Sequence, residues 1–228
     1  MCGRFTLKSP RRLGSWATGD AHLPPPTLLP RYNIAPSQEI LAITELENER
    51  QLSVFVWGLI PSWSNEPKGF INARSETLEL KPSFSESFDR RRCLIPADGF
   101  YEWKRKGKSK QPHYFQLLDE SQFAFAGIWD RWQRNGVTIT SCSIITTAPN
   151  ELLAGIHDRM PVMLKPEAQR RWLSDAPPER LMELLVPFPT GEMKSFPVSQ
   201  QVNHAKIDEP SLVEPVELIE EPENLRLF

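Results

Sequence analysis

Cysteine is scarce in this chain of 228 residues: there are three, Cys2, Cys93 and Cys142, at wide and uneven spacings. An odd number so spread argues against a disulfide framework and against a zinc knuckle, and it fits a reducing cytoplasm. Long apolar runs are missing as well. No stretch reaches the ~18 residues that cross a bilayer, and Arg4, Lys8, Arg11 and Arg12 have no apolar segment behind them. Neither a secretory signal nor a membrane anchor is expected. A strong excess of one charge is lacking too, since the net charge is −2. By itself that gives no pull towards nucleic acid.

Proline, by contrast, is abundant, with 22 residues, close to twice an average share of about 5%. Each interior proline breaks a helical hydrogen-bond ladder, so long helices cannot dominate. The chain is long enough to bury roughly 70–75% of its unfolded surface without disulfide or metal. Positions 9–30 hold Pro24, Pro25, Pro26 and Pro30 and read as a loop. Strands are expected at Gln38–Thr44, Gln51–Trp57 and Phe70–Ala73, with a turn or helix at Arg74–Leu80. Further strand pieces fall at Arg92–Ile95 and Gly99–Lys104, divided by Pro96-Ala97-Asp98. A basic hairpin tip at Lys104–Lys110 leads into a strand at Pro112–Leu118. Phe123–Trp129 and Val137–Thr146 are joined by Asn135-Gly136, a strong hairpin signal. Helical periodicity is confined to Asn150–Ile156, Pro166–Leu173 and Pro178–Leu185. The pattern predicts an α+β fold: one β-rich domain with a few short helices over residues 1–216. An acidic tail at 217–228 follows; residues 207–228 carry seven acids against Arg226 alone, leaving the body mildly basic.

Five stretches carry side chains suited to chemistry. The chain starts Met1-Cys2-Gly3-Arg4-Phe5. An initiator Met before a small residue is usually trimmed, which would leave Cys2 with a free 1,2-aminothiol. An α-amine with a pKa near 7.7–8.0 is neutral to the order of a tenth at pH 7. Towards an aldehyde it forms an imine, and the thiol then closes a five-membered thiazolidine. From the dipeptide alone, a small buried residue at a terminus is the plainer reading.

Asn72 can hold a substrate oxygen or orient an amine, and Arg74 suits a phosphate, although an Asn capping a turn accounts for the segment equally. Glu102 alternates with Phe100, Tyr101 and Trp103, so partial desolvation would lift its pKa into the range useful for proton transfer; the plain alternative is an exposed Glu beside a Lys. His157, in His157-Asp158-Arg159, has a polar setting that His22, His113 and His204 lack, and Arg159 again suits a phosphate. A structural His beside an Asp–Arg pair explains it as well. Trp63, at the end of Trp57-Gly58-Leu59-Ile60-Pro61-Ser62-Trp63, could stack on single-stranded bases, whereas Trp57 reads as core. Cys93 and Cys142 lie in apolar strand patterns and read as packing residues.

Taken in order along the chain, Cys2-Gly3-Arg4-Phe5, Arg31-Tyr32-Asn33-Ile34-Ala35-Pro36, the Trp57–Trp63 loop, Asn72-Ala73-Arg74-Ser75-Glu76-Thr77, Gly99-Phe100-Tyr101-Glu102-Trp103 and His157-Asp158-Arg159-Met160-Pro161 resemble the SRAP family, the SOS response-associated peptidases. The closing stretch from Pro197-Val198-Ser199 to Glu214-Pro215 fits the same pattern. The resemblance implies a β-rich domain with a barrel-like mixed-sheet core and a basic cleft. It implies a sensor of abasic sites in single-stranded DNA that bonds the ring-opened sugar aldehyde through Cys2 and shields the lesion. On that resemblance, Asn72 positions the Cys2 amine, Glu102 moves protons, and His157 assists opening of the sugar. Arg4, Arg74 and Arg159 would hold phosphates, Trp63 and Pro36 would wedge against bases, and Asn33 would support that floor. No cofactor and no metal are implied. A monomer is expected, in the cytoplasm and, in a bacterium, at the nucleoid. Two other readings stay open: a cysteine peptidase, acting above all on its own Met1, and a non-catalytic reader of modified bases. The segment at 9–30 departs from the resemblance, being rich in proline where an apolar helix is expected.

Overall fold

The computed structural model describes residues 2–10, 13, 29–47, 49–107 and 109–218. Most of the proline-rich segment at 9–30, and the acidic tail beyond 218, lie outside the described residues. The first strands are β1 (Phe5–Leu7), β2 (Arg31–Ile34), β3 (Glu39–Leu46), β4 (Glu49–Trp57) and β5 (Asn72–Arg74). After helix α1 (Ser85–Arg90) come β6 (Arg92–Ala97), β7 (Gly99–Lys106), β8 (Ser109–Leu117), β9 (Phe123–Arg134) and β10 (Val137–Thr147). The remainder is α2 (Glu151–Ala154), β11 (Met160–Pro161), β12 (Met163–Leu164), α3 (Pro166–Leu173), α4 (Pro178–Met182) and β13 (Met193–Pro197).

Five of these strands close on themselves. β10 pairs in parallel with β4, and antiparallel ladders β4–β3, β3–β6, β6–β9 and β9–β10 complete the ring. The mixed barrel expected from the resemblance is therefore present. Hairpins join β3 to β4, β7 to β8 and β9 to β10. Asn135 and Gly136 have φ of 49° and 77°, the left-handed pair that a two-residue hairpin needs. A second sheet, in the order β13-β8-β7-β1-β2, lies beside the barrel.

Phe5 ties the two sheets together. Its ring meets Trp57 edge-on at 5.2 Å and Phe125 at 5.7 Å between centroids. The same buried cluster takes in Phe100 and Phe115 from the second sheet and Ile40, Ile95 and Ile144 from the barrel. A separate cluster packs Phe88 of α1, Trp172 of α3 and Leu181 of α4 against the barrel's Leu94, Ala126 and Ile128. α3 begins at Pro166, where a missing N–H costs nothing, and its boundaries match those read from periodicity.

Several boundaries differ from the sequence reading. Pro96 lies within β6 and pairs with Ala124, so only Asp98 separates β6 from β7. The ladder from β6 to β3 consists of Ile43 opposite Leu94. Beyond it Pro96 has no partner strand on that side to deprive of a donor. Arg74–Leu80 contains a single 3₁₀ turn at Ser75–Thr77. Asn150 stands outside α2 as its N-cap, its side chain accepting from the Leu153 N–H.

Candidate active site

The amino-terminal strand is pinned by a buried polar network. The Thr6 hydroxyl donates to Asp98 Oδ1 over 2.6 Å and lies 2.8 Å from the Tyr114 hydroxyl, while the Lys8 N–H donates to Asp98 Oδ2 over 2.5 Å. Gly99 makes this geometry accessible, because a Cβ there would sit 2.0 Å from the Tyr114 oxygen. The ladder continues past β1, with the Tyr101 N–H donating to the Arg4 carbonyl over 3.0 Å. Cys2 is thereby carried alongside Glu102, the next residue of β7.

Cys2 is fully buried, at 0% exposure. The Asn72 side-chain amide donates to its backbone carbonyl over 2.9 Å. Asn72 comes from β5, held to the barrel by the parallel register Asn72 opposite Ile144. Its other amide atom, Oδ1, is buried and accepts no hydrogen bond. Burial pushes the Cys2 thiol well above its ordinary range, and the charge of Glu102 adds to that push. Glu102 itself is 2% exposed, and burial raises its carboxyl to about 7. Such a group is divided between acid and base near neutrality, the condition a proton carrier needs.

His157 lies after α2, in the short connection to β11. Its Nδ1 lies 3.1 Å from the Arg159 N–H. Burial lowers its pKa, while Asp158, 2.9 Å from Nδ1, opposes that shift. Glu102, His157 and Asp158 line one cleft of about 870 Å³ together with Trp103, Arg105, Ser109, Lys110 and Asn203. Four of the expected residues thus gather from four separate segments: Cys2 and Asn72 in direct contact, Glu102 within electrostatic reach of the thiol, and His157 across the cleft from Glu102.

The expected DNA-contacting residues are less uniform. Trp63 is 62% exposed, its indole N–H directed to the Pro82 carbonyl over 3.4 Å. Arg74 is exposed, and Pro36 is half-buried. Burial lowers the pKa of Arg4, whose Nε is enclosed without a hydrogen-bond partner. Asn33 is internal at 1% exposure, and its amide donates to the carbonyls of Val202, His204 and Ile207. It supports β2 from beneath and presents no surface for a base. Arg159 is already engaged, with Nη1 at 2.6 Å and Nη2 at 2.9 Å from the Glu76 carboxylate and a further bond to the Thr146 carbonyl. A phosphate at Arg159 would have to compete with Glu76.

Sequence reading missed His113. It stands directly opposite Glu102 in the β7–β8 ladder, so the two share a face. Burial lowers its pKa, with Lys104 contributing. The signal was hairpin register: the tip at Gly107 pairs position 102 with 113 once both strands are drawn.

The family description SOS response associated peptidase (SRAP) matches residues 1–205. The chain belongs to the SRAP family. Among SRAP relatives, the abasic site processing protein YoqW of Bacillus subtilis is 44% identical over 222 residues, covering 94% of this chain and 99% of the relative. The abasic site processing protein YedK of Escherichia coli is 31% identical, covering 95% and 100%. The abasic site processing protein HMCES of Xenopus tropicalis is 32% identical over 88% of this chain and 69% of its own. A crystal structure of a protein from Bacteroides thetaiotaomicron superposes with a TM-score of 0.83 at 27% identity, covering 95% of this chain and all of that one. Among the described residues of this SRAP chain, no helix is long and apolar enough to cross a membrane.

Proposed function

We propose that this protein captures abasic sites in single-stranded DNA by a covalent bond from Cys2 to the ring-opened sugar. The observation that carries the reading is the contact at Cys2: Asn72 fixes its carbonyl, and a carboxyl with a pKa of about 7, Glu102, lies close enough to act on its thiol. The names of the relatives, which concern abasic sites, point to the same substrate.

The chemistry starts with loss of Met1, because with Met1 attached the Cys2 nitrogen is an amide and no nucleophile. The freed amine adds to the C1′ aldehyde, and the carbinolamine loses water to give an imine. The thiol sulfur then bonds to C1′ while its proton passes to nitrogen, closing a thiazolidine with one water released overall. Glu102 takes the proton from the attacking amine and returns one to the departing hydroxyl. His157 delivers a proton to the sugar ring oxygen as the furanose opens. Asn72 holds the Cys2 backbone so that amine and thiol both face C1′. Arg4 and Arg74 bind flanking phosphates, and Trp63 stacks beside the lesion.

The test uses protein shown by mass spectrometry to lack Met1, mixed with a single-stranded abasic oligonucleotide. A heat-stable adduct on a denaturing gel is expected from the wild type and not from Cys2→Ala, which keeps an amine and stops at a transient imine. An equally stable adduct from Cys2→Ala, or none from the wild type, overturns the proposal. The peptidase reading is confined to the Met1–Cys2 bond, where Glu102 lies near the same thiol. A base reader would need neither group.

A further inference from the structure

The basic tip of the β7–β8 hairpin takes no part in the chemistry above. The register sets Arg105 directly opposite Lys110, so the two cations stand side by side on one face. Like charges so placed repel one another. Both residues are exposed. Among the described residues neither has an ion-pair partner, although Glu76, Glu86, Glu120, Glu183 and Glu192 each hold an Arg or Lys elsewhere on the surface.

The pair also belongs to the active cleft. Arg105 and Lys110 line the same cavity as Glu102 and His157, and the charge of Lys110 is felt at His157. The strand that carries the pair is braced two residues earlier, where the Trp103 indole donates to Asn203 Oδ1 over 2.8 Å. The carboxylates that line the cleft are Glu102 and Asp158, and Asp158 lies 2.9 Å from His157 Nδ1.

We propose that Arg105 and Lys110 form a phosphate clamp that grips the strand on one side of the lesion as it leaves the cleft. This inference rests on the reading of the cleft as a site for abasic single-stranded DNA. A phosphodiester fits better than a lone carboxylate, because two adjacent, exposed cations match the repeated charge of a backbone continuous with the sugar at Cys2. The clamp is a binding device. It touches no reacting atom.

The experiment uses an oligonucleotide carrying a tetrahydrofuran in place of the abasic sugar, which has no aldehyde and cannot be captured. Each single-strand phosphate contact contributes about 0.7 to the slope of log affinity against log salt. The double variant Arg105→Glu/Lys110→Glu is expected to bind at least tenfold more weakly, with a slope lower by about 1.4. The control Arg170→Glu, an exposed cation on α3, leaves both unchanged. Both variants alter exposed side chains, and melting curves matching the wild type verify that they fold. A double variant with wild-type affinity and slope, or one no different from Arg170→Glu, overturns the clamp. A wild type that binds this oligonucleotide through the pair, yet never forms an adduct with the aldehyde-bearing one, leaves the clamp standing and sinks the covalent reading.

Discussion

The Asn72 amide and the Cys2 carbonyl meet over 2.9 Å although 70 residues separate them in sequence. An amide so placed acts on orientation, since the reacting atoms of Cys2 lie one and two bonds from the carbon that carries the bonded group.

Asn72→Ala is therefore expected to slow capture by about 10- to 100-fold, the scale of a misplacement near 1 Å. In single-turnover assays against DNA concentration the maximal rate should fall while the half-saturating concentration stays within twofold. Asn72→Asp should behave like the alanine variant, because it has no donor for the carbonyl. A rise in the half-saturating concentration alone would place Asn72 in DNA binding.

Glu102→Gln should reduce the capture rate by roughly 10²- to 10⁴-fold, the usual worth of a positioned acid–base group. The pH profile provides the sharper reading. Burial has moved this carboxyl up to about 7, so the wild-type rate should rise as pH climbs through that value and the base form fills. In Glu102→Gln the limb near 7 should vanish, leaving the rise that follows deprotonation of the Cys2 amine near 7.7–8.0. Affinity for aldehyde-free DNA should not change by more than about twofold in either direction.

Trp63→Ala should weaken single-strand binding by roughly 1–3 kcal/mol, the worth of one stacked base, measured by fluorescence anisotropy. With 62% of its surface exposed, the indole contributes little to the core. The melting temperature should therefore stay within about 1–2 °C of the wild type, since an exposed substitution is worth about 0.5 kcal/mol at most.

Asp98→Ala should lower the melting temperature by roughly 5–10 °C, because the Thr6 hydroxyl and the Lys8 N–H lose a buried acceptor. Burial raises the Asp98 pKa above 3.8. The folded chain thus holds this proton to a higher pH than the unfolded chain. Its contribution to stability is complete below 3.8 and declines as pH rises through the raised value. Denaturant titrations of wild type against Asp98→Asn should show the difference moving in favour of Asn over that interval.

Local pattern revealed the long strands and the helices well, since β9, β10 and α3 satisfy their periodicity without help from distant residues. The small strands could not be read that way. β1, β2, β11 and β12 are two to four residues long, and each exists only because a longer neighbour offers a free ladder edge. The candidate residues Cys2, Asn72, Glu102 and His157 came from motif order. Their convergence depends on Asp98, Thr6 and Tyr114, which give no local sign of their task. Surface status was the least legible property. Asn33 and Arg159 have the residue types of DNA contacts, but three carbonyls occupy the first and Glu76 the second.

One strand of the barrel holds half of the site. β10 carries β5 with Asn72 on its parallel edge and β11, just after His157, through Thr146 and Thr147. Cys2 and Glu102 hang instead from β1 and β7 of the neighbouring sheet. The cleft is thus a seam, and its reactivity reports how the two sheets are seated on Phe5. Substitutions that trim the Phe5 ring should disarm the protein at temperatures where both sheets are still intact.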